Sequence, residues 1–85
     1  MSKARPRMDV ARHMTREKVE KLIYEANLGK EDSKIASLYW IERYPQIDIG
    51  FEVELDRKTV GKRLKEINRR LAETAEQLAT KVGQM

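Results

Sequence analysis

Apolar residues recur at the three- and four-residue spacing of amphipathic helices along most of the chain. Val19, Leu22, Ile23 and Ala26 form one such stripe. Thr15 stands where an N-cap belongs, and Met14 and Val19 occupy the N′ and N4 positions of a hydrophobic staple. Asn27 to Lys30, with Gly29, breaks the pattern. A second helix is predicted from Glu31 or Asp32, burying Ile35, Leu38, Tyr39 and either Trp40 or Ile41. Pro45 should close it, since it has no N–H to continue the ladder, and should open the next element. Asp56 reads as the cap of a last helix whose buried face is Val60, Leu64, Ile67 and Leu71, at spacings of four, three and four. That stripe continues through Ala75 or Thr74, Leu78 and Val82 until Gly83 can stop it. A helix of this length is roughly 40 Å long, which suggests that its far end either folds beside the first helix or pairs with a second copy.

Charge sharpens the pattern. Arg57 to Leu71 carries seven cations (Arg57, Lys58, Lys62, Arg63, Lys65, Arg69, Arg70) against Glu66, a net of +6. Pro45 to Asp56 carries Asp48, Glu52, Glu54 and Asp56, a net of −4. Lys58, Lys62, Lys65 and Arg69 fall opposite the apolar stripe of the last helix, so a cationic face is expected in solvent. A solvated, internally paired face would account for a charge run, but one sign on one helix fits phosphate better. Residues 1–14 add Lys3, Arg5, Arg7 and Arg12 against Asp9 with little apolar pattern. They read as a basic arm, either touching nucleic acid or merely solubilising.

The stretch between Pro45 and Asp56 admits two readings. Ile47, Ile49, Phe51, Val53 and Leu55 alternate with Asp48, Gly50, Glu52 and Glu54, the signature of a half-buried strand. No second strand is evident, and a ribbon paired across a dimer would turn carboxylates toward nucleic acid. As a helix, the same residues give the pairs Ile49–Val53 and Ile47–Phe51 on adjacent faces, a wide stripe for a crowded core.

Pro45 to Leu71, PQIDIGFEVELDRKTVGKRLKEINRRL, resembles the helix-turn-helix of region 4 of bacterial sigma factors and of small phage-type regulators. Against that pattern Gln46 and Asp48 look like the polar start of the scaffold helix, and Ile49 its buried residue. Gly50 matches the small residue at the helix crossing, Val53 the last scaffold contact and Leu55 the plug of the turn. Asp56 looks like the recognition-helix cap, and Arg57, Lys58, Thr59 and Val60 match the helix opening. Asp32 to Tyr44 is similar to the preceding helix. Two residues depart from the pattern: Glu54 stands at the usual turn glycine, and Phe51 at a usually polar position.

The resemblance implies an all-α helix-turn-helix bundle of about four helices over residues 15–85, with a long C-terminal recognition helix. It implies a bacterial or phage transcriptional regulator that binds double-stranded DNA in the major groove through Gln46, Arg57, Lys58, Thr59, Gly61, Lys62, Lys65 and Arg69, with arm contacts from Lys3, Arg5 and Arg7. The alternative is a module that docks on RNA polymerase or another regulator without touching DNA. A homodimer reading two half-sites is expected. Composition excludes much else: 85 residues with 40% hydrophobic content make one small domain, and pI 9.5 with a net charge of +4 favours an acidic partner. There is no cysteine, and the lone His13 has no partner in sequence for metal binding or catalysis. No apolar run approaches a membrane span, so a soluble cytoplasmic chain without cofactor or metal is expected. No catalytic motif is present, and an enzyme is not expected.

Overall fold

The computed structural model describes residues 14–83, with side-chain surroundings through residue 79. The fold is all-α, and no strand occurs among the described residues. Helix α1 (Arg16–Ala26) starts as its sequence dictates: the Lys18 N–H donates to Thr15 Oγ1 at 3.2 Å, and Met14 packs against the core that contains Val19. It ends on Asn27, held in the left-handed region at φ 54°. Gly29, at φ 98°, then caps α2 (Lys30–Ala36), which begins slightly before the expected start.

The end of α2 departs from expectation. Ser37–Ile41 widens into a π-helical turn, closed by the Glu42 N–H donating to Ser37 O. Arg43 turns left-handed at φ 65°, and the Tyr44 N–H donates back to Leu38 O at 2.9 Å. The helix has therefore stopped before Pro45, whose role is confined to the N-cap position of α3 (Gln46–Val53). The wider turn shifts the angular positions of its side chains, so Trp40 points into the core while Leu38, Tyr39 and Ile41 are only half-buried. Tyr39 and Trp40 meet edge to face, with ring centroids 5.0 Å apart.

Ile47 to Leu55 is helix and turn, not strand, but the wide apolar stripe expected of it is not formed. Ile49 is fully buried, whereas Ile47 is 52% and Phe51 78% exposed. A helix this short has only one face against the bundle, and Ile49, Gly50 and Val53 occupy it. The turn after Val53 is a left-handed cap: Glu54 at φ 60° lets the Leu55 N–H reach Gly50 O at 3.0 Å.

Helix α4 (Arg57–Gly83) is the spine of the bundle and packs against α1, α2 and α3. Val60, Leu64, Ile67 and Leu71 are all buried, as their spacing predicts, and join Val19, Leu22, Ile23, Ile35, Trp40 and Ile49 in one core. Past Leu71, Ala75 and Leu78 lie against the same cluster. These two side chains, half-buried, thus pack on the core of one chain, which lessens the apolar surplus from which a pairing of α4 with a second copy was expected; the side chain of Val82 lies outside the described surroundings. Two arginines tie the spine to its neighbours. Arg63 Nη1 reaches Asp32 at 2.6 Å and Glu31 at 3.0 Å in the first turn of α2. Arg70 Nη2 donates to Ala26 O at 3.1 Å, satisfying a carbonyl at the C-terminal end of α1.

A candidate nucleic-acid interface

The site is built at the start of α4. Asp56 caps it, accepting from the Thr59 N–H at 3.0 Å. The Thr59 hydroxyl and amide, with Lys62 nearby, hold the Asp56 carboxyl below the usual carboxylate range. A fixed first turn sets the direction in which Arg57 and Lys58 leave the helix.

Between this first half of α4, the start of α3 and the π turn runs an open groove of about 810 Å³. Tyr39, Trp40, Ile47 and Leu64 supply its apolar wall, and Gln46, Arg57, Lys58, Gly61, Lys62 and Lys65 its polar remainder. Gly61 faces the side chain of Gln46 across it: a Cβ at this position would stand 3.3 Å from Gln46 Oε1. Six of the eight residues expected at the interface thus converge on one concavity although Gln46 comes from a different helix. Arg57, Lys58, Lys62 and Lys65 are exposed and form no ion pair with another described residue.

The remaining expectations fall elsewhere. Thr59 is half-buried and belongs to the cap, not to the groove. Arg69 lies farther along α4, clasped by Glu66 and by Glu73 at 2.8 Å. The carboxylate of Glu66 is held below its ordinary range by that guanidinium, and Arg69 is raised in turn. Arg63 and Arg70, part of the same charge run, are committed to α2 and α1. Of the seven cations between Arg57 and Leu71, four line the groove without an ion pair to a described residue and three are engaged within the fold. Lys3, Arg5 and Arg7 lie outside the described residues. Tyr39, Trp40, Ile47 and Leu64 were not expected at the site, because their apolar character read simply as core. The π turn that carries two of them leaves no local signature in sequence.

Among the described residues no cluster of His, Asp and Glu has the makings of a metal site, and no described helix is long and apolar enough to cross a membrane. Comparison with known proteins adds no relative, since no family model, curated protein or solved structure matches this chain.

Proposed function

We propose that this chain is a double-stranded DNA-binding regulator of transcription that acts in the cytoplasm, with α3 as scaffold and the first turns of α4 as the reading helix. The observation that carries this reading is the gathering of four cations without an ion pair among the described residues, Arg57, Lys58, Lys62 and Lys65, on one groove whose near wall is Gln46 and Gly61. Paired cations would offer a phosphate little, because an existing carboxylate must be displaced first; these four form no ion pair with another described residue. The helix N-terminus and its oriented N–H dipoles add to the attraction at Arg57 and Lys58. The glycine opposite Gln46 leaves room for a polar edge to approach the backbone of α4. The likeness of Pro45–Leu71 to the sigma region 4 helix-turn-helix supports the same assignment.

The test is duplex DNA binding measured across a salt series. Replacing Lys62 or Lys65 with alanine should weaken binding on every sequence and lower the salt slope by about 1 for each phosphate left without its cation. Arg69→Ala should change it far less, because Glu66 and Glu73 already hold that guanidinium. Unaltered binding in the Lys58→Ala, Lys62→Ala, Lys65→Ala triple variant would refute the assignment.

A further inference from the structure

Among the described residues the large apolar side chains left exposed are Tyr24 on α1 and Tyr44, Ile47 and Phe51, and the last three gather on and just before α3. Ile47 and Phe51 stand one turn apart on its outer face, 52% and 78% exposed, with Tyr44 at 37% just before the helix. The two flanks of this ridge carry opposite charge. Asp48 and Glu52 follow Ile47 and Phe51 by one residue, about 100° round the helix at 3.6 residues per turn. On the other flank Ile47 is itself a wall of the groove, next to Arg57 and Lys58. A carboxylate row, an apolar ridge and a cationic edge thus lie side by side.

We propose that this ridge is a self-association surface, occupied by the same ridge of a second copy with the two α3 helices parallel about a two-fold axis. The charges choose both the occupant and the direction. DNA laid over the ridge would meet Asp48 and Glu52, which phosphate repels, and an anionic membrane surface would meet the same carboxylates. An antiparallel pair would set carboxylates against carboxylates. The parallel two-fold instead sets the Asp48 side of each copy against the Arg57 and Lys58 edge of the other, while Ile47 and Phe51 of both leave water together. An isologous contact of this kind is complementary to itself through Asp48 and Glu52 on one flank and Arg57 and Lys58 on the other. The pairing occupies an edge of the groove, so it is a resting form distinct from a dimer that reads two half-sites. It does not require that the groove bind DNA.

Sedimentation equilibrium of the full chain without DNA tests this. At low salt, reversible dimerisation is expected within a range of about 10 to 200 μM, weak because the ridge is smaller than the interface of a stable dimer. It should loosen as salt rises. Phe51→Ser should be monomeric throughout with an unchanged melting curve, since that side chain is exposed. Asp48→Lys and Lys58→Glu should each associate less than the native chain, and an equimolar mixture of the two should recover association, because each swapped charge meets its opposite. A monomer at every concentration overturns the proposal. So does a Phe51→Ser chain that dimerises as tightly as the native one, or a mixture of the charge variants no tighter than either alone. Association that survives Phe51→Ser but disappears in Leu78→Ser would assign the interface to α4 and also overturn it.

Discussion

Glu54 holds a conformation that an L-residue resists, at φ 60° in the turn that joins α3 to α4. The left-handed region costs such a residue about 1–2 kcal/mol, while glycine there brings a penalty of about 0.5–1 kcal/mol from its looser unfolded chain. Glu54→Gly should therefore stabilise the fold by about 0.5–1 kcal/mol, seen as a higher urea midpoint at constant slope; a lower midpoint would show that the side chain contributes something the turn needs. Gly50→Ala should act in the opposite sense, because its Cβ would stand 2.5 Å from Leu55 O, a backbone atom with nowhere to go. Asp56 contributes to the response to acid. Its pKa is depressed in the folded chain by the Thr59 hydroxyl and amide, so the stability it contributes is fully present above the ordinary carboxylate pKa of about 3.9 and is lost as pH falls through the lower folded value. Asp56→Asn keeps a cap but cannot titrate, and its thermal midpoint should fall less steeply below pH 4 than that of the native chain. Parallel acid limbs would show that other carboxylates control it.

At the scale of elements, α4 lines the groove with its first turns and braces the bundle with the rest. Gly61 marks the first. Alanine there should stabilise the helix by up to about 1 kcal/mol, since its one close contact is the flexible end of Gln46. The same methyl intrudes on the groove and should weaken DNA binding, so gain of stability with loss of affinity is the expected pair of readings; unchanged affinity would place the ligand elsewhere. Leu71 marks the second. It is fully buried, and Leu71→Ala should cost about 2–5 kcal/mol, with truncation after Arg70 abolishing cooperative unfolding. A folded truncated chain would show that the bundle ends earlier than its packing indicates. Helices α1 and α4, their caps at Thr15 and Asp56 and the buried face of α4 were legible in sequence because each rests on spacing within one element, whereas the alternation over Ile47 to Leu55 left α3 open between helix and strand. What could not be read depends on contacts across the fold: the outward turn of Ile47 and Phe51, and the commitment of Arg63 and Arg70 to α2 and α1. The π turn at Ser37–Ile41 is local but leaves no signature in its residues, whereas the pairing of Arg69 with Glu66 and Glu73 follows helical spacing and was legible but missed. A cation looks the same in sequence whether a carboxylate waits for it across the fold or not.

The whole molecule separates its charges as well as its tasks. Its extents are 43 × 34 × 19 Å, so few layers of packing lie between opposite faces of the bundle. This makes Trp40 informative. It is the chain's single tryptophan, 7% exposed, part of the core and of the groove wall at once, and its Nε1 has no partner among the described residues. The protein thereby carries its own optical gauge. Excited near its red edge, the chain should emit to the blue of free indole when folded. Adding duplex DNA should change the intensity or position of that emission over the same concentrations at which binding is measured by other means, without any attached dye. Because Ile47 borders the groove and the α3 ridge together, association of two copies should move the same signal in the absence of DNA. One indole, placed by an extra residue in a helical turn, would let the two events be followed and told apart by titration alone.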